Sequence, residues 1–427
     1  MLNLLKKTKP WMVASLLVAT SAFGQSNNAD SCNPCKPACP PPKPACPPPS
    51  CCKPCPPPRE PLMCPTIPAY NAPARWETRC PWDVWVDASF IYWQPFQDNM
   101  EPAAVMSNAA DFSDMLLDDA SALVNGKILN LKTKFKPGFK VGIGMNFDHD
   151  SWDGAVEYTR FHSTHSTSGS NSVYYPMLLL AQELEQFSGL ADDVSPGATL
   201  LPFSFKESWR LNMDFIDVDM GRWYWVGTAL SFRPSVGARG GWINQRLSAQ
   251  YGMFDTADEV TGPPLTELAF ASISLKTRSW CVGPRMGINT NWMVGGWGCN
   301  MNCWDGFRFI GNAYADILYT RYKTSSQNQV VNEGVITTDA ALGTIAASTW
   351  HQSKINTIRT HLDLELGLGW GSYFDNNNWH FDLSATYGFQ VFFSQNMFRN
   401  GASPIVTRNP VGDLYIQGLT LTARLDF

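Results

Sequence analysis

The thiols are the most reactive groups in this chain, and they are unevenly placed. Eight of the 12 cysteines (Cys32, Cys35, Cys39, Cys46, Cys51, Cys52, Cys55 and Cys64) lie between Ser31 and Ala74, a stretch that also holds 17 of the 31 prolines, and Cys80 sits at its boundary. Cys32-x-x-Cys35 and Cys52-x-x-Cys55 have the spacing of zinc ligands, but the intervening prolines oppose the tight turns of a tetrahedral site. Runs such as Pro47-Pro48-Pro49 favour extended polyproline II, which buries no core. A stiff arm holds its cysteines apart and presents them to neighbours, favouring cross-links between chains over the internal disulfides also open to an exported protein. Connectivity stays open. Cys299 and Cys303 fall in a short connection and are candidates for a bridge within it or to the arm, and Cys281 has no assignment.

Other catalytic chemistry is sparse. His162-x-x-His165 at the head of a Ser/Thr/Gly-rich segment has metal-ligand spacing, but a solvated loop pair is the simpler reading. No Gly-x-Ser-x-Gly elbow occurs, and no nucleophile constellation is visible. The chain is read as no enzyme, with no metal and no cofactor.

The elements around these residues begin with an address. Lys6, Lys7 and Lys9 precede a short apolar run over 11–23, and Ala22-Phe23-Gly24 supplies small residues for cleavage before Gln25. Residues 1–24 are expected to be a signal peptide and 25–80 a disordered, polyproline-like arm. Aromatic residues make up 13% of the chain and charged ones only 16%, below the roughly 25% of a soluble domain. After the N-terminus no apolar run reaches the 18 residues of a membrane helix. A net charge of -5 offers no footprint for nucleic acid.

From Trp82 the dominant period is two. Leu362, Leu364, Leu366 and Leu368 alternate with His361, Asp363 and Glu365, and Leu419, Leu421 and Leu425 alternate with Thr420, Thr422, Arg424 and Asp426. Such alternation over segments of about ten residues predicts an all-β, antiparallel transmembrane barrel of the outer-membrane type across 81–427. Strands are expected at 83–96, 136–147, 152–163, 207–220, 228–246, 277–290, 304–322, 355–370, 379–393 and 413–427: ten, within a range of 8–12. Their links alternate long and short, and short turns face the periplasm. Phase is lost near Phe215-Ile216, predicting a bulge, and Pro234 and Pro284 interrupt their ladders. Trp82, Trp85, Trp152, Trp223, Trp225, Trp292, Trp297, Trp304, Trp370 and Trp379 cluster near the short-turn ends, as an interfacial girdle would.

The second face of these strands supplies the candidate pore lining: Lys140, Glu157, Arg210, Asp214, Arg233, Arg239, Arg285, Arg308, Asp316, Arg359, Asp363, Glu365, Asp382 and Arg424. A water-filled, Arg-rich lumen passing small hydrophilic solutes is one reading. A closed, salt-bridged barrel serving as anchor or adhesin through loops 97–135 and 164–206 is the other. The implied partners are outer-membrane lipid and, through the arm, disulfide-linked envelope proteins or further copies.

Ser89-Phe90-Ile91-Tyr92-Trp93-Gln94 resembles the opening strand of the Legionella-type major outer membrane protein family. The stretch from Pro137 to Arg160 is similar to its second hairpin, with Gly138, Gly142 and Gly144 going up and Trp152, Gly154, Glu157 and Tyr158 after the turn. Arg233-Pro234, Gly237-x-Arg239-Gly240 and Val282-Gly283-Pro284-Arg285-x-Gly287 add to the likeness, which covers roughly 82–427. It implies an abundant outer-membrane porin, sometimes credited with adhesion. Phe427, after alternating apolar residues, resembles the signal read by the barrel-assembly machinery. The Cys/Pro arm departs from the family pattern and is more like the disulfide-stiffened envelopes of chlamydia-related bacteria.

Overall fold

Strict alternation gives each strand one face for lipid and one for an interior, and a sheet of such strands has no stable edge until it closes. The computed structural model describes residues 65, 67–78, 83–106, 126–147, 150–170, 172, 174–176, 200–255, 267–295, 305–332, 343–398 and 412–427. Every described residue lies within the compact unit Cys55–Phe427. The signal peptide, the cysteines Cys32 to Cys64, Cys80, Cys299 and Cys303, and Trp82, Trp297 and Trp304 lie outside the described residues.

Among the described residues all regular structure is strand: β1 (Ala69–Pro73), β2 (Val84–Gln97), β3 (Ala103–Met106), β4 (Gly126–Ile128), β5 (Lys136–Asn146), β6 (Trp152–Ser170), β7 (Tyr174–Pro176), β8 (Leu200–Arg222), β9 (Tyr224–Gly227), β10 (Leu230–Asp255), β11 (Glu267–Gly295), β12 (Gly306–Asn332), β13 (Gly343–Phe374), β14 (Trp379–Phe392) and β15 (Leu414–Asp426). Ten of them close the barrel in the order β2-β5-β6-β8-β10-β11-β12-β13-β14-β15, with β15 paired back to β2. Every pair is antiparallel, as expected. At the last residue, Phe427 and Val84 exchange backbone hydrogen bonds.

Several strands run far past their expected ends. β10 to β13 are 26, 29, 27 and 32 residues long, whereas about 9–11 cross a bilayer. The excess lies toward the long loops. Beyond the lipid the outward face no longer has to be apolar, so the period-two signal fades although the ladder continues. The same cause corrects β8, which has no bulge at Phe215-Ile216: Phe215↔Gly241 and Ile216↔Gly240 are consecutive pairs, and the register shifts only farther up, between Ser204 and Pro202. The outward residues below are Ile216, Val218 and Met220 and those above are Asp214, Asn212 and Arg210, so polarity inverts while the backbone keeps phase.

Both prolines are accommodated. Pro234 falls in the gap where β10 exchanges β9 for β8 as neighbour. Pro284 sits between Val282↔Tyr319 and Arg285↔Asp316, and the register resumes in phase after it. In each case the missing N–H falls where no ladder bond is needed. The β5 glycines have a packing reason: Gly142 faces Asp87 and Gly144 faces Trp85, and a Cβ at either would collide with that side chain.

Residues 69–78, expected in the arm, belong to the folded unit. β1 pairs with β9, and Ala74, Arg75, Trp76 and Thr78 are buried. At the other end β3 pairs with β4 and β7 in a small sheet, and Tyr251 Oη donates to the Pro102 carbonyl at 2.6 Å.

Candidate functional site: the barrel interior

The interior has two halves of different chemistry. Toward the short turns lies a polar cavity of about 250 Å3. Arg233 pairs with Asp153 and, at 2.7 Å, with Asp219. Arg308 pairs with Asp382. Lys140 Nζ lies 3.4 Å from Glu157 and 3.8 Å from Glu365. Deeper, Arg239 grips Asp217 with two bonds of 2.6 and 2.7 Å, and Asp316 accepts from Arg239 at 3.1 Å and Arg285 at 3.2 Å while His361 Nδ1 lies 2.6 Å away. Buried charges are tolerated when paired in this way.

Above this network the interior becomes an apolar core. Leu211, Met213, Phe215, Ile243, Leu247, Leu275, Leu318, Phe392 and Phe398 pack in one buried cluster. Phe215 stacks on Phe392 at 5.7 Å, and Phe392 lies 4.0 Å from the His361 ring. The segment after β14 folds in here: Gln395, Asn396, Met397 and Phe398 are all buried, and Tyr322 Oη donates to Gln395 Oε1 at 2.7 Å. Higher still, beyond the lipid belt, Glu207 is fully buried opposite Thr167 and Ala249. Burial, reinforced by Glu101, pushes its carboxyl up to about 8.

The short-turn mouth is filled by aromatics. The Arg424 guanidinium lies 4.1 Å from Trp76 and 4.0 Å from Trp85, and Trp76 meets Trp223 edge-on at 5.7 Å. Trp85, Trp223 and Trp225 therefore leave the expected girdle and turn inward, where cationic and aromatic partners await them. Trp292, Trp370 and Trp379 do face outward at the short-turn end.

Of the expected lining residues, Lys140, Glu157, Arg233, Arg285, Arg308, Glu365, Asp382 and Arg424 border the cavity. Arg239, Asp316 and Asp363 are buried at its deep end, and Arg359 points inward beneath Met397, 3.2 Å from its Sδ. Arg210 and Asp214 are corrections: both face outward, displaced by the phase assigned to β8. The inward positions are Asp217 and Asp219, which alternate with Ile216, Val218 and Met220 and were legible on that basis. Asp87 and Asp153 also line the cavity. Seven carboxyl groups and five cations, four of them Arg, line it. His162 and His165 lie on opposite faces of β6, because three residues along a strand reverse direction. His162 meets Asp214 outside at 3.0 Å, and His165 is buried inside. Cys281 is inward and buried, its Sγ 3.7 Å from the Gly241 carbonyl.

A closed ten-stranded barrel with an apolar outer belt, an ion-paired interior and alternating long and short links is an outer-membrane β-barrel. The family model of the Legionella pneumophila major outer membrane protein precursor matches residues 76–427, and the chain belongs to that family. Family and fold together support an outer-membrane location and a porin- or transporter-like role. No curated protein matches. Similar solved structures include a Pseudomonas aeruginosa FadL homologue, at 6% identity over 81% of this chain and 89% of that one with a TM-score of 0.21. Another is the Ralstonia pickettii toluene transporter TbuX, at 8% identity over 80% and 89% with a TM-score of 0.16.

Proposed function

We propose that the barrel is a passive conduit for small hydrophilic solutes and ions, closed at rest, and that its cysteine-rich arm cross-links the envelope. The observation that carries the conduit is the polar cavity at the level of the lipid belt. A space of that size lined by charges of both signs holds water, and its field selects what passes. The excess of carboxyls over cations favours cations. Passage requires the Gln395–Phe398 segment to yield, since it and the apolar core fill the interior above the cavity. Planar-bilayer recording of the refolded mature protein tests this: discrete steps with cation-preferring reversal potentials are expected. Silence from a folded, heat-modifiable barrel overturns it.

The apolar core favours a second reading, a closed anchor whose loops within 97–135 and 164–206 contact host or neighbouring surfaces. Unchanged cell attachment after deleting those loops counts against it.

A further inference from the structure

The outer wall carries a patch that a conduit does not use. On the adjacent strands β8, β10, β11 and β12, six outward side chains at and just beyond the edge of the lipid belt are cationic. Arg210 stands opposite Arg246, Arg246 opposite Lys276, and Arg278 opposite Lys323, while Arg321 stands opposite Trp280. Directly opposed residues lie about 5 Å apart, and like charges so placed destabilise a sheet. The fold nonetheless keeps three such pairs. None of the six has an ion-pair partner among the described residues. The nearby outward acid, Asp214, is engaged by Tyr158 at 2.8 Å and His162 at 3.0 Å. This concentration of positive charge occurs in a chain whose net charge is -5.

Its height identifies what would neutralise it. Trp242, Trp280 and Tyr319 face outward directly below, and Trp280 packs on Tyr319 at 5.8 Å. Such aromatics mark the membrane–water interface. Two residues along a strand advance about 7 Å, so Arg321 lies level with Trp280, Arg278 and Lys323 about 7 Å beyond it, and Arg210, Arg246 and Lys276 about 14 Å beyond. That is headgroup depth, within reach of long side chains. Guanidinium and ammonium groups match phosphate oxygens in charge and geometry.

We infer that this patch binds the phosphate groups of a lipid headgroup in the leaflet surrounding the long-loop end. The six cations form a cradle across four strands, and the lipid's acyl chains run down past Trp242 and Trp280. The inference rests on the outer-membrane location and not on conduction, since the patch faces away from the cavity.

The test uses the full barrel in detergent, with bisphosphorylated lipid A and its dephosphorylated form as probes, read by native mass spectrometry. The wild-type barrel is expected to hold the phosphorylated lipid at least about tenfold more tightly. The triple variant Arg246→Gln/Lys276→Gln/Arg278→Gln loses that preference, while Arg246→Lys/Arg278→Lys keeps it and single-channel behaviour is unchanged in both. Equal retention of the two lipids by wild type overturns the inference, and so does undiminished preference in a heat-modifiable triple variant. If the triple variant does not fold, the wild-type comparison alone decides.

Discussion

Arg239 lies with its guanidinium carbon 5.1 Å from the Phe215 ring centroid, and the contact marks where two interiors meet. On one side Arg239 belongs to the ion-pair network with Asp217 and Asp316; on the other Phe215 opens the apolar core that fills the long-loop half. A water-filled path has to cross this boundary.

Truncating the aromatic side of it should both weaken and widen the barrel. Phe215→Ala removes the ring stacked on Phe392 and should cost about 3–5 kcal/mol. Urea titration should show the loss and bilayer recording should show larger steps than wild type. Lost stability with unchanged conductance would place the barrier elsewhere.

The polar side should behave differently. Arg239→Ala strands the buried carboxyl of Asp217, at a cost of about 3–5 kcal/mol. The double variant Arg239→Met/Asp217→Leu removes the pair together and should recover most of that loss. A double-mutant cycle in urea checks the coupling; additive losses would mean that the pair is solvated.

The barrel was legible because lipid imposes one rule on every outward position, so Leu362 to Leu368 and Leu419 to Leu425 announce their strands without help from the rest of the chain. No single rule governs the inward face, whose character changes with height. Equating polar residues with the lumen puts Arg210 and Asp214 inward, although above the lipid the polar face is the outer one. The inward turn of Trp85 and Trp223 depends on Trp76 and Arg424, brought together from distant parts of the sequence. Pairings of that kind, like the Arg239 network drawn from β8, β10, β12 and β13, leave no local spacing to read.

Glu207 should make the long-loop half sensitive to pH. Its carboxyl is raised to about 8 by burial and Glu101, so the folded state binds a proton that the unfolded state has released. The sign is negative: the stabilising protonated form is fully present below about pH 4.5 and is lost as pH rises through about 8. Glu207→Gln should therefore protect this half more at pH 8 than at pH 5. Limited proteolysis at the two pH values measures it, and identical protection at both would rule out a titrating Glu207.

The arm makes an electrophoretic prediction. Non-reducing gels of native membranes should show multimers that collapse with reductant. Serine at Cys32 through Cys64 should abolish them, while serine at Cys299 and Cys303 leaves them in place. Multimers that survive the arm substitutions would exclude the arm as the cross-linker.

Trp76 should control the periplasmic mouth. The chain just before it is anchored twice: the Ala74 amide donates to the Trp223 carbonyl at 3.3 Å, and Arg75 Nη1 donates to the Phe147 carbonyl at 2.7 Å. Its ring shares the Arg424 cation with Trp85, a contact worth about 0.5–2 kcal/mol. Trp76→Ala removes that contact and empties part of the mouth while the neighbouring backbone bonds remain. It should enlarge conductance steps, Trp76→Phe should restore wild-type size, and combining Trp76→Ala with Phe215→Ala should exceed either alone, because the two obstructions lie in series. If Trp76→Ala conducts like wild type while the Phe215 variant is wider, the apolar core alone sets the resistance and the mouth is already open.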